Sequence, residues 1–150
     1  AVMQESEKKN LNLKAVVENI IENRCDTCDT TVTVDIPPGT RIAAHRMIEQ
    51  GLTELIENAV EHNDSPEPVV RISAEKSNDR VKISIKDNGS GIPENEREVL
   101  EEGIETPLSH ASGIGLWLSY WIIRDSGGSM EIRENQPSGS IIDVYLPKAD

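Results

Sequence analysis

The chain has 150 residues, of which 36% are apolar, 3% aromatic and none Phe, enough for one domain whose core is built from Ile, Val, Leu and Ala. A formal net charge of −12, from 27 acidic against 15 basic residues, disfavours a nucleic-acid binder, which needs a basic face. No apolar run approaches the roughly 18 residues of a membrane span, and "AVMQESEKKN" carries no signal-peptide core, so a cytoplasmic domain is expected.

Residues 1–10 read as a polar leader, the end of an upstream linker, and residues 11–148 as the domain. From Leu11 to Asn23 the spacing of Leu13, Val16, Val17, Ile20 and Ile21 predicts an amphipathic helix. Cys25 and Cys28 form a single C-x-x-C with no second pair to complete a zinc site, and the three histidines show no ligand spacing, so the thiols are expected to be structural or incidental. "TTVTVDIPPG" alternates and stops at Pro37-Pro38-Gly39, a strand and turn. A second helix is expected from about Ala44 to His62, with Ile48, Leu52, Leu55, Ile56 and Ala59 on one face.

"VVRISAEKS" and "VKISIKD", joined at Asn78-Asp79, predict a β-hairpin. Pro93 opens a short acidic helix over 93–102, and 103–112 lacks either periodicity and reads as a mobile loop. "GIGLWLSYWIIRDSGG" predicts a long helix closed by paired glycines, followed by strands in "SMEIREN" and "SGSIIDVYLP". The expected fold is an α/β two-layer sandwich, a mostly antiparallel mixed sheet with about three helices on one face.

Three segments carry chemistry. In "GLTELIENAVEH" the residues Glu54, Asn58 and Glu61 or His62 form a polar stripe beside the apolar face. An amide oxygen at Asn58 suits Mg²⁺, which prefers oxygen ligands and retains waters, and Glu54 one turn earlier could orient or deprotonate a nucleophile. In "IKDNGSGIP" the carboxylate of Asp87 ends an apolar strand, where it can accept from the exocyclic amine of adenine and reject guanine, while Gly89 and Gly91 can take φ > 0 and let a base approach. In "ASGIGLWL" the residues Gly113 and Gly115 precede a helix, whose free amides and positive dipole end suit a triphosphate beneath a lid formed by 103–112. Taken singly, each segment also fits a solvated helix face, a common turn or a flexible loop. GxxxxGK[ST] is absent, and Glu94 and Leu118 break both possible GxGxxG runs.

Together, in this order and spacing, "ELIENAVEH", "DNGSGI" and "GIGLWLSYWIIRDSGGSMEI" resemble the N, G1 and G2 boxes of the ATP-binding catalytic domain of sensor histidine kinases. That domain lies within the superfamily of DNA gyrase, MutL proteins and the ninety-kilodalton heat-shock chaperones. The resemblance covers residues 11–148 and implies ATP and Mg²⁺ as cofactors. It implies that Asn58 binds the metal and Asp87 reads adenine, with Gly89, Gly91 and Ile92 shaping the base pocket. Gly113, Ile114, Gly115 and Leu116 would support the phosphates and lid, and Ser140 would supply a hydroxyl beside the aspartate. Glu54 matches the water-activating glutamate of the ATPase branches. Glu61 stands where many kinases carry Lys, so a phosphate contact from that turn would fall to His62. A phenylalanine-containing F box is missing, with Leu100, Ile104 and Leu108 as apolar substitutes.

No phosphoacceptor box is found, and His45 precedes the N-box helix. The implied protein is a histidine kinase whose acceptor histidine sits on an upstream helical dimerisation domain, with a response regulator as indirect partner and this fragment a monomer. An anti-sigma-type serine kinase and a degenerate, non-catalytic ATP-binding module share the same boxes and remain as alternatives.

Overall fold

The structure, a computed structural model, describes residues 8–24, 29–61, 63–89, 111–136 and 138–149; for residues 8, 24 and 111–117 it describes the backbone alone. The first element is not the expected helix. Lys8–Asn12 form a strand, β1, and helix α1 begins only at Leu13 and runs to Arg24. The boundary is set by Asn12, whose Oδ1 accepts from the N–H of Ala15 at 3.2 Å, an N-cap that satisfies one of the free donors of the first turn. Leu11 thereby joins the strand, together with Lys8, Lys9 and Asn10 from the expected leader.

The partner of β1 is β3, Arg41–His45, in an antiparallel pair with Leu11 opposite Ile42. This strand overturns the expected helix start at Ala44. Ile42 and Ala44 are buried while their neighbours are less so, a period of two, and the helical period begins only at Ile48. Strand β2, Thr31–Asp35, comes between α1 and β3 in the chain. Helix α2 spans Ile48–Glu61 and buries Ile48, Leu52, Leu55, Ile56 and Ala59, the face expected from spacing.

The predicted hairpin is present as β4, Val69–Lys76, and β5, Arg80–Asp87, its turn closed by the N–H of Ser77 donating to the carbonyl of Arg80 at 2.9 Å. Helix α3, Ala111–Asp125, is followed by β6, Ser129–Glu134, and β7, Ser140–Pro147. The main sheet has the order β2-β4-β5-β7-β6, with β2 parallel to β4 and the other pairs antiparallel. It is the expected mostly antiparallel mixed sheet, and α1, α2 and α3 lie on one of its faces.

Alternation along the strands sorts the two faces. Val81, Ile83 and Ile85 of β5 and Ile142, Val144 and Leu146 of β7 are all buried and share a core with Leu13, Val17 and Ile20 of α1 and with α2. On the opposite face Asp143 is buried too, but held: Ser84 Oγ donates to it at 2.7 Å and Arg133 Nε at 2.8 Å.

The end of α3 follows the sequence expectation. Gly127, at φ 85°, donates to the carbonyl of Arg124, and Gly128 donates to that of Ile123, both at 3.0 Å. This pair of bonds closes a helix through a left-handed residue, which glycine adopts without a Cβ clash. At the other end α3 begins at Ala111, two residues before the expected start. Gly113 and Gly115 therefore lie inside the first two turns rather than ahead of them. The expected helix over 93–102 and most of the expected lid fall outside the described residues, as do Cys25, Cys28, His62, Gly91 and Ile92.

Candidate functional site

Asp87 is the last residue of β5 and continues the row of Val81, Ile83 and Ile85 that faces the helices. A carboxylate there stands between the two layers, at an end of the sheet. It is 9% exposed. Its neighbour across the ladder is Ser140, the first residue of β7, since Lys86 pairs with Ile141. Ser140 Oγ donates to Asp87 Oδ2 at 2.7 Å, and the N–H groups of Ser140 and Gly89 donate to Oδ1 at 3.3 and 3.0 Å. A carboxylate offers about four acceptor directions, so three donors leave one, at Oδ2. The buried group can therefore accept one more N–H from whatever enters between the layers.

The Asp87 main chain is fixed as well. Asn135 Nδ2 donates to the Asp87 carbonyl at 2.9 Å. Gly139 is at φ 107°, and a Cβ there would lie 2.0 Å from that same carbonyl oxygen. Only glycine meets both conditions, a positive φ and a backbone in contact with its α-carbon.

Gly89 plays a different part from the expected one. It is not among the positive-φ residues, and a Cβ on it would sit 3.1 Å from Asn63 Cα and 3.4 Å from Asp87 Oδ1. Its missing side chain makes room for the protein's own chain after α2. That contact also locates α2: the segment leaving its C-terminal end lies against the end of β5, so Asn58, near the end of α2, is at the same edge of the molecule as Asp87. Asn58 and Glu54 are both half-buried, one turn apart at the border of the apolar face, as their spacing predicts.

The third segment comes to this edge by helix packing. Ser119 Oγ donates to the carbonyl of Gly51 at 2.8 Å, and the N–H of His45 donates to Ser126 Oγ at 2.9 Å. Numbers rise along α3 as they fall toward the start of α2, so the helices are antiparallel. At about 1.5 Å per residue, the first turns of α3 run alongside the last turns of α2. Gly113 still belongs to the first turn, whose amides have no intrahelical acceptor, whereas the amide of Gly115 falls within the helical ladder. Ile114 and Leu116 are described by backbone alone.

Thus Asn58, Asp87, Gly89, Ser140 and the start of α3 gather at one end of the interlayer space, whereas Glu54, midway along α2, borders a cleft with Asn19 and Asn23 of α1 and with Arg46 and Met47 ahead of α2; His62, Gly91 and Ile92 lie outside the described residues. Residues 43–150 match the family described as histidine kinase-, DNA gyrase B-, and HSP90-like ATPase. The chain belongs to that family.

Within the family its relatives are sensor kinases. The C4-dicarboxylate transport sensor protein DctB of Rhizobium meliloti is 32% identical over 143 residues, covering 91% of this chain and 23% of that protein. The sensor-type histidine kinase PrrB of Mycobacterium tuberculosis is 37% identical over 121 residues, 79% of this chain and 25% of that protein. The chain spans a quarter or less of the length of the curated relatives it matches. Among solved structures, the catalytic domain of the histidine kinase ThkA superposes with a TM-score of 0.79 at 22% identity, covering 96% of this chain and 99% of that one, which shows the fold. The histidine kinase AdeS of Acinetobacter baumannii gives 0.73 at 27% identity, over 95% of this chain and 68% of that one. The chain is an ATP-binding catalytic domain of the two-component kinase type.

Four residues that matter at this site were not singled out from sequence. Asn63, Asn88, Asn135 and Gly139 all brace the segment holding Asp87. Asn63 lies in the run "NDSP" after α2, whose Asn, Asp, Ser and Pro together are turn chemistry.

Proposed function

We propose that this domain binds Mg²⁺-ATP between its two layers and delivers the γ-phosphoryl group to a histidine on a separate helical dimerisation domain. The observation that carries the nucleotide assignment is the buried carboxylate of Asp87 with three donors already in place and one acceptor direction left. It matches the amino group of adenine and opposes the carbonyl that guanine presents there. Ser140 holds the carboxylate in its orientation, and Gly89 keeps the neighbouring chain close.

The donor set fits a metal that arrives with the nucleotide. No group of three or more His, Cys, Asp or Glu able to hold a metal ion is found among the described residues, so these offer no cage of their own. Mg²⁺ bound mainly by phosphate oxygens and water needs one or two protein oxygens, and the amide of Asn58 supplies one. When bound, the ion neutralises charge on the phosphates being transferred. The chain's own contribution is placement. Asp87 fixes the base, Asn58 and the first-turn amides of α3, including Gly113, lie toward the phosphates, and His62, Gly91, Ile92, Ile114, Gly115 and Leu116 complete the pocket and lid. Glu54, one turn before Asn58 on α2, orients the incoming acceptor.

The catalytic domain is assigned to residues 11–148, extended by β1, and works in the cytoplasm. A response regulator takes the phosphoryl group onward from the acceptor histidine, and this chain by itself is monomeric. Calorimetric titration with ATP and GTP, with and without Mg²⁺, tests the pocket. The parent chain should bind ATP in preference to GTP, and Asp87→Asn should lose that preference and most of the affinity. Equal ATP binding by parent and variant would refute the assignment. When an acceptor domain is supplied, an acid-labile phosphoryl product supports histidine as the target, and an acid-stable one points to serine instead.

A further inference from the structure

Beside the buried carboxylate stands a side chain that the nucleotide reading does not use. Asn88 Oδ1 accepts from Val69 N–H at 2.8 Å and from Asn63 Nδ2 at 2.9 Å. Its Nδ2 donates to the carbonyl of Glu67 at 2.9 Å and to Ser65 Oγ at 3.3 Å. The amide orientation is fixed by its partners, because a backbone N–H can only donate and a backbone carbonyl can only accept. All four hydrogen-bonding positions of the amide are filled by one segment, the chain from the end of α2 to the start of β4.

We propose that Asn88 is a positioning residue for base recognition, tying the segment that leaves α2 to the end of β5 and so setting Asp87 relative to Asn58. The inference rests on the reading of Asp87 as the adenine acceptor. Two further observations support it. Gly89 lies against Asn63, 3.1 Å from its would-be Cβ to Asn63 Cα, so the Asn88 contacts hold a surface already in close fit. On the other side Ser138 Oγ donates to the Asn88 carbonyl at 3.4 Å, and Asn135 holds the Asp87 carbonyl. The Asp87–Asn88 segment is thus gripped from both the α2–β4 loop and the β6–β7 turn. With the first grip removed, Gly89 N–H no longer holds Asp87 Oδ1 in a fixed direction, and the free acceptor at Oδ2 loses its aim.

No other side chain of this size does the same. Aspartate retains the two accepted bonds but loses both donors and sets a negative charge against the Glu67 carbonyl; leucine loses all four bonds. Position 88 thereby acts on nucleotide selectivity without touching the nucleotide.

The test is calorimetric titration of the parent chain, Asn88→Ala, Asn88→Asp and Asp87→Asn with ATP and with GTP, at a temperature where circular dichroism shows each chain folded. The expected result is ATP binding about tenfold weaker in both Asn88 variants, the equivalent of one net hydrogen bond, with a reduced ATP-to-GTP ratio. A purely structural role gives a different pattern. Partial unfolding weakens the apparent affinity for both nucleotides by the same factor and leaves the ATP-to-GTP ratio unchanged. Ser65→Ala, which removes one partner and leaves the other three, should show a smaller loss in the same direction and serves if the Asn88 variants do not fold. Asn88 variants with parental affinity and selectivity, alongside an Asp87→Asn variant that has lost both, would overturn this inference and leave the pocket assignment standing. A folded parent that binds no ATP would overturn both.

Discussion

Asp87 and Asn88 are neighbours on one strand end, yet they face different tasks because side chains alternate. Asp87 turns toward the helices and keeps one free acceptor, whereas Asn88 spends its whole amide on the chain beside it. Gly139 links them from the β6–β7 turn, with its α-carbon pressed on the Asp87 carbonyl. Gly139→Ala should lower stability by about 1–3 kcal/mol through backbone strain and displace the Asp87–Asn88 segment. Thermal melts and ATP titration of the same sample should therefore fall together. An alanine variant with parental melting and binding would show that the contact relaxes without consequence.

At the scale of elements, caps decide where the pattern stops. The apolar spacing of α1 is legible from Leu13 to Ile21, but the same spacing admits Leu11, and only the Asn12 cap excludes it. Asn12→Ala should cost about 1 kcal/mol. That corresponds to a melting temperature lower by roughly 2–4 °C for a chain of this size. A scanning melt checks it, and no change would mean that pairing of β1 with β3 holds the helix start unaided. The strands β1 and β3 were not read from sequence for a related reason. Each has five residues, and their alternation is visible only once their partnership buries Ile42 and Ala44. The long elements α2, β4, β5 and β7 were legible because their periods repeat often enough to be unambiguous.

At the scale of the whole molecule, the two faces of the sheet set the pH response. On the face away from the helices, burial pushes the Asp143 carboxyl up, but hydrogen bonds from Arg133 and Ser84 and the guanidinium charge outweigh it and hold the group below the usual carboxylate range. A carboxyl depressed in the folded state adds stability that is complete above its unfolded value, about 4, and is lost as pH falls through the lower folded value. The parent should accordingly lose part of its unfolding free energy in that acidic window. Asp143→Asn should be less stable by about 1–2 kcal/mol at neutral pH, with the gap closing in acid. Urea denaturation at several pH values measures both, and a gap independent of pH would assign the loss to packing rather than charge.

The site divides along the same line between local and distant information. Residue type and short-range spacing already mark Asp87 as a carboxylate ending an apolar strand, Asn58 as a polar interruption at the border of an apolar face, and Gly127-Gly128 as a helix stop. These depend on a period and a few neighbours, which a single sequence carries. That Ser140 completes Asp87, that Gly139 must lack a side chain, that Gly89 gives way to Asn63 rather than turning at positive φ, and that Asn88 grips the loop after α2 are relations between residues tens of positions apart. Their reason is pairing: β7 lies beside β5, the chain leaving α2 lies against the end of β5, and no local pattern states which distant chain will fill an acceptor or press on a glycine.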